Sequence, residues 1–216
     1  MSDFFAQTEE LLSDFAGAPL RVLRVANLEQ FVDRDALLAD GRAPEPPYWA
    51  HLWPAARALA RLVADSSAPR SGQRVIEIGC GLGLPGLVIA RTGASVIFSD
   101  RNRDALRFAA ASLERNGLAG LMLAMNWRFP SIRCRFDLCL AADVTYDPGS
   151  HQSLVEFLDA HLELNGEAWI AESVRTEEKR LPELLRARFA VGEQRMPEIE
   201  DGRRVWVRVL RASRRR

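Results

Sequence analysis

Apolar positions along this chain switch between two periods. From residue 74 onward, short apolar runs of strand length alternate with stretches whose apolar residues recur every three or four positions. "RVIEI" at 74–78 predicts a strand, and a glycine-rich turn leads from it into a helix over about 84–92. "ASVIFS" at 94–99, "LMLAM" at 121–125, "FDLCLAA" at 136–142 and "EAWIAES" at 167–173 predict further strands. Helices are predicted between them, at 102–116 and 150–163, and after the last, at 176–189. "FAVGEQR" and "RVWVRVL" then predict two strands with no helix between them, joined by a loop of Pro, Glu, Asp and Gly. Alternating strand and helix dictates an α/β fold with a parallel, doubly wound sheet, and the final pair an antiparallel hairpin on its edge.

Upstream, the pattern is less regular. Phe4, Leu11, Leu12 and Phe15 stand near helical spacing and predict a helix over 3–15; "LRVLRVA" at 20–26 predicts a strand. Residues 40–47, "DGRAPEPP", read as a loop, and Pro54 opens a helix that "AARALARLVAD" continues. The 216 residues suit one domain with a single core, in which 1–45 form an extension or lid and 46–216 the core.

Charge and composition narrow the function. The formal net charge is zero, so no global field draws the chain to nucleic acid or to an anionic membrane. All 29 basic residues except Lys179 are Arg, and the "RRR" at 214–216 reads as a solvated tail. Cys80, Cys134 and Cys139 form no paired framework, which suits a reducing, cytoplasmic setting. They share no ligand spacing with His51, His151 or His161, so no metal site is expected. The first residues are acidic and lack the basic stretch of a secretory signal, and no apolar run is long enough to span a bilayer.

The chemistry centres on the turn Glu77-Ile78-Gly79-Cys80-Gly81-Leu82-Gly83-Leu84-Pro85-Gly86. Glycines between a strand and a helix allow tight turning and close backbone approach to a ligand. Gly81, Gly83 and Gly86 make a literal G-x-G-x-x-G, and Asp100 ends the next strand where a ribose ligand belongs. A nicotinamide-dinucleotide oxidoreductase and a non-catalytic nucleotide-binding module therefore compete with a third reading. Glu77 favours that third reading, because a carboxylate near a pyrophosphate repels it and suits a ligand carrying positive charge.

Glu-x-Gly-x-Gly-x-Gly resembles motif I of class I S-adenosyl-L-methionine (SAM) methyltransferases, and the hairpin ending resembles their seven-stranded, Rossmann-like sheet. "PPYW" at 46–49 is not the Asp/Asn-Pro-Pro-Tyr loop of amino methyltransferases: Glu45 precedes it, it follows the loop "DGRAP", and the place after the fourth strand is held by "AADVTYD". "PYWAHLWPAARALARLV", "VIEIGCGLGLPGLVIA", "FSD", "NW" and "AADVTY" together resemble methyltransferase family 16, over about residues 45–175. That family contains protein-lysine methyltransferases.

The resemblance implies roles. Trp53 lines the cofactor pocket, and Gly79, Cys80, Gly81 and Gly83 form the turn against the methionine end. Asp100, with Arg101 beside it, binds the ribose. Asn126 and Trp127 meet the adenine, Ala142 contacts the cofactor through its backbone, and Asp143 and Tyr146 form the Asp-x-x-Tyr motif at the methyl-transfer site. It implies a protein lysine as acceptor, with another protein nitrogen or a small amine as alternatives. Plainer roles stand beside these. Trp53 and Trp127 also suit packing, Tyr48 and Trp49 a lid or core, His51 a structural histidine, and Asp147 a helix cap.

Overall fold

The computed structural model describes residues 6–13, 15, 17, 19–28, 46–66, 71–174 and 180–215. Its centre is a seven-stranded sheet built from β3 (Arg74–Ile78), β4 (Ser95–Asp100), β5 (Leu121–Ala124), β6 (Phe136–Ala142), β7 (Leu162–Ser173), β8 (Phe189–Glu200) and β9 (Arg203–Arg214). The order is β5-β4-β3-β6-β7-β9-β8, with β3 to β7 parallel and β7-β9-β8 antiparallel. The expected doubly wound sheet and edge hairpin are both present.

Side chains of successive strand residues enter cores on opposite faces. Val75, Leu138 and Leu140 join one core; Ile76, Cys139 and Ala141 join the other. The first core is covered by α1 (Pro54–Asp65), α2 (Leu84–Ala90) and α3 (Arg103–Arg115), the second by α4 (His151–His161) and α5 (Arg180–Arg188). Coverage of both faces explains why the central strands read as unbroken apolar runs. The same topology sends the carboxyl ends of β3, β4 and β6 to one edge, where the chain reverses on either side of β3.

Two expectations need correction. Gln7–Leu12 is a strand, β1, not part of a helix over 3–15; it pairs antiparallel with β2 (Leu20–Val25) from Gln7↔Val25 to Leu12↔Leu20. Cross-strand ion pairs Arg21–Glu9 (2.8 Å) and Arg24–Glu10 (2.5 Å) fix that register. The hairpin docks on α3: Leu23 N–H donates to Ser112 Oγ (2.9 Å), and Asn116 bonds both the N–H and the C=O of Arg21. The second correction concerns the final hairpin. Its strands run up to a tight turn at Asp201-Gly202, so Pro197 and Glu198, expected in the loop, are strand residues. Pro197 is tolerated because β8 is an edge strand and needs no further N–H donor there. Glu198 is buried against Arg61 of α1, which accounts for an acid inside a strand. Residues 1–5, 14, 16, 18 and 29–45 of the expected extension, including 40–45 of the expected loop, and 176–179 of the helix expected at 176–189 lie outside the described residues.

Candidate functional site

A cleft of about 770 Å³ opens at the switch point. Its floor is the turn after β3. Gly79 (φ 59°) and Gly81 (φ 52°) are left-handed, and a Cβ on Gly79 would stand 2.6 Å from Val144, one on Gly81 3.0 Å from the Trp49 carbonyl. The Val144 side chain and the Trp49 backbone leave no room here for a side chain on the turn.

Asp100, at the end of β4, holds the turn from one side. Its carboxylate accepts from Gly81 N–H (2.9 Å) and Asn102 N–H (2.8 Å), and Asn102 in turn caps α3 through Asp104 N–H (2.8 Å). Burial raises the Asp100 pKa, against the pull of those N–H donors and of Arg101. Each carboxylate oxygen keeps a second lone pair for a ligand hydroxyl.

Trp53 precedes α1, and its indole N–H donates to Tyr48 C=O (2.9 Å). Tyr48–Ala50 form a 3-10 turn, which splits "PPYW" between two jobs. Trp49 packs on Phe108 (5.3 Å between rings), whereas Tyr48 is exposed and meets the ring of Tyr146 at 6.3 Å. His51 stacks edge-on to Trp53 (4.5 Å); burial lowers its pKa although Glu200 lies 3.5 Å away. Asn126 and Trp127 follow β5 on the opposite wall.

Asp143, just past β6, has φ 50°, a left-handed conformation uncommon outside glycine. It is held there by its N–H on the Ala171 carbonyl (2.9 Å) and by Ser173, which donates its N–H and its hydroxyl to the two carboxylate oxygens (2.7 Å each). Strain of this kind persists only where the surroundings over-determine it.

The structure brings Trp53, Gly79, Cys80, Gly81, Gly83, Asp100, Arg101, Asn126, Trp127, Ala142, Asp143 and Tyr146 onto the walls of this one cleft. Glu77 is not among them. Its carboxyl points beneath the turn, buried against Phe98, and accepts from Gly86 N–H (2.9 Å). The sequence argument that Glu77 faces the ligand is therefore corrected: it fastens α2 to β3 from below. Among the described wall residues, the carboxylates of Asp100, Asp104, Asp143 and Asp147 outnumber the guanidinium groups of Arg101 and Arg128, a formal excess of two negative charges.

Arg128 and Asp147 carried no signal in the sequence reading as a pair. Arg128 donates to Asp147 (2.6 Å) across the cleft mouth and covers the Trp127 ring (5.8 Å). The bond from Arg128 is the main reason that the Asp147 pKa is lowered, and Asp147 also caps the turn at Gly149 (2.9 Å). Among the described residues no group of three or more His, Cys, Asp or Glu is placed to hold a metal, and no helix is long and apolar enough to cross a membrane.

Burial pushes the Glu77 carboxyl up to about 8, Gly86 N–H opposing and the Asp100 charge adding to the rise. The folded pKa lies above the unfolded one, so the associated stability is complete below about 4.5 and is lost as pH rises through about 8. Glu77→Gln keeps an acceptor for Gly86 and cannot ionise. Urea unfolding between those pH values should show stability falling with pH in the parent and lacking that fall in the variant. An equally steep fall in the variant removes Glu77 as its source.

Comparison with known proteins agrees with this fold and cleft, which define a class I methyltransferase architecture. A family model described as lysine methyltransferase matches residues 47–183, and the chain belongs to that family. It is similar to a protein N-lysine methyltransferase of Danio rerio, METTL21A, at 34% identity over 156 residues, 66% of this chain and 69% of that protein. It is also 27% identical to a histidine protein methyltransferase 1 homolog of Dictyostelium discoideum over 70% of this chain and 53% of that one. The chain spans about half the length of such first-ranked curated relatives. Among solved structures, a 16S rRNA N2 methyltransferase of T. thermophilus in complex with AdoMet and guanosine shares the fold at TM-score 0.64 and 18% identity, covering 98% of this chain and 51% of that one.

Proposed function

We propose that this protein transfers a methyl group from SAM to the side-chain nitrogen of a protein lysine. The observation that carries the reading is a cleft with a glycine floor, a ribose-type carboxylate and an excess of negative charge, bordered by Asp143 and Tyr146. The residues fit SAM: Gly79 and Gly81 leave bare backbone for the methionine end, Asp100 accepts from two vicinal hydroxyls, and Trp127 offers a ring face with Asn126 beside it as acceptor for an adenine amino group.

SAM supplies an electrophilic methyl on a positively charged sulfur. The protein's share is alignment and an uncharged nucleophile. Tyr48 and Tyr146, whose rings stand 6.3 Å apart and tilted by 46°, are exposed at the border of the cleft, where their ring faces favour the approach of a cationic group. Asp143, fixed by Ser173, accepts a hydrogen bond from the incoming amine and orients its lone pair as the ammonium proton leaves to water. The same reading treats residues 1–216 as one cytoplasmic domain acting on a protein partner; the β1–β2 hairpin bonded to α3 and the free cysteines Cys80, Cys134 and Cys139 support it.

Calorimetry with S-adenosylhomocysteine and with NADH tests the cofactor, and the expected result is binding of the first alone. Incubation with radiolabelled SAM and a cell extract, with nuclease and protease controls, tests the acceptor. Label that survives protease and is lost to nuclease would replace protein by nucleic acid.

A further inference from the structure

A second cavity, of about 390 Å³, adjoins the cleft. Tyr48, Trp53, Asp143 and Tyr146 line both, so they form the partition between them. Beyond the partition the walls are new: Thr145, Glu172 and Arg208 belong only to the second cavity.

Glu172 is the fixed point of that wall. It stands at the carboxyl end of β7, opposite Arg208 of β9. Its Oε2 accepts from Arg208 Nε (3.0 Å) and Nη2 (2.8 Å), and its Oε1 accepts from the Thr145 hydroxyl (2.7 Å). The two side chains are 12% and 9% exposed. A desolvated pair of this kind contributes little net stability over an apolar pair of the same shape. What it does supply is a carboxylate that cannot rotate away, with lone-pair capacity left on Oε1. Ala142 pairs with Ala171 in the sheet, so Asp143, the first residue past β6, follows beside the Glu172 end of β7. The fixed charges of the cavity are thus two carboxylates, Asp143 and Glu172, against one guanidinium, Arg208.

We propose that this second cavity receives the acceptor side chain and that Glu172 is the residue that selects it by its ammonium charge. The assignment rests on the methyl-transfer reading above. Asp143 borders both spaces and serves the reacting nitrogen; Glu172 touches only the acceptor space and reads the charge of the amine before reaction. The lone pair left on Glu172 Oε1 accepts from the ammonium of an acceptor that reaches the cavity past the exposed rings of Tyr48 and Tyr146. An acylated amine offers that oxygen only a neutral N–H, a weaker donor.

The test uses the full chain loaded with S-adenosylhomocysteine and three probes: Nα-acetyl-lysine amide, its Nε-acetylated form, and Nα-acetyl-arginine amide. Backbone amide shifts of Thr145, Glu172 and Ser173 report binding. Blocked lysine should move these amides and bind about 10-fold more tightly than the acetylated form, the order of one charged hydrogen bond. Glu172→Gln should weaken blocked lysine by about 10-fold for the same reason while S-adenosylhomocysteine affinity stays within about twofold. Because that change strands Arg208, the double variant Glu172→Gln/Arg208→Met, which removes both charges and keeps the stem, should show the same loss. Lysine binding restored in the double variant, equal binding of the acetylated probe, or tighter binding of blocked arginine overturns the proposal. If S-adenosylhomocysteine binds and lysine leaves the three amides unmoved, only this proposal falls. If S-adenosylhomocysteine does not bind, the methyl-transfer reading falls with it.

Discussion

Asp143→Asn should lower methyl transfer to the substrate by at least about 100-fold, the lower range for a positioned group that handles a proton. The structure makes this substitution unusually clean. Asn is among the few residues that tolerate the left-handed φ of 50° found here. Its carbonyl can still accept from Ser173 N–H, and the Ser173 hydroxyl can turn to accept from its amide. Shape and backbone therefore persist while the negative charge next to the amine disappears. S-adenosylhomocysteine affinity should stay within a few-fold, because the floor and the ribose carboxylate are untouched. Initial rates with radiolabelled SAM, set beside calorimetry, separate the outcomes. Parallel loss of binding and turnover would make Asp143 a cofactor ligand, and near-normal turnover would remove it from the chemistry.

The second large effect is expected at Asp100. Asp100→Ala takes away the proposed ribose acceptor together with the partner of the backbone N–H groups of Gly81 and Asn102. A lost hydrogen bond to a charged group costs about 1.5–3 kcal/mol, so S-adenosylhomocysteine affinity should fall at least about 10-fold. Asp100→Asn keeps one acceptor oxygen and should fall less. Stability should drop in the Ala variant, since Asn102 caps α3 and loses its anchor. Calorimetry and denaturant unfolding on both variants check this ordering. Unchanged affinity in Asp100→Ala would exclude the carboxylate from the cofactor site.

What the sequence disclosed follows from how far apart the interacting residues lie. "RVIEI" and "FDLCLAA" match β3 and β6 to the residue because short apolar runs of strand length define them, with Gly72 and Gly79 bounding β3. The cleft residues were found through motifs on short turns, where neighbours in sequence are neighbours in space. The β1 strand was misread because its only buried residue is Leu12, and its conformation is set by pairing with β2 rather than by its own pattern. Glu77 was placed correctly in the chain but on the wrong side of the turn, since a residue at a strand end has two faces and only the packing of Phe98 and Gly86 decides between them. Glu172, Thr145 and Arg208 were invisible. They stand 27 and 36 residues apart along the chain and meet because β6 and β9 flank β7 on its two sides.

That insertion has a consequence for how the protein comes into being. Ribosomes deliver the chain from the first residue onward, and β8 is complete before β9 exists. Yet β9 is the strand that joins β8 to β7. Until Arg203–Arg214 has emerged, β7 presents the bare edge Glu167–Ser173, and the partner of β8 in the sheet is missing. Unpaired edges of that length invite pairing with other chains. Arg208 arrives with the same late segment, so Glu172 has no counter-ion before then. The nascent protein therefore passes through an interval in which the glycine turn after β3 has emerged and the Arg208 side of the second cavity has not, so methyl transfer is expected only after β9 has entered between β7 and β8.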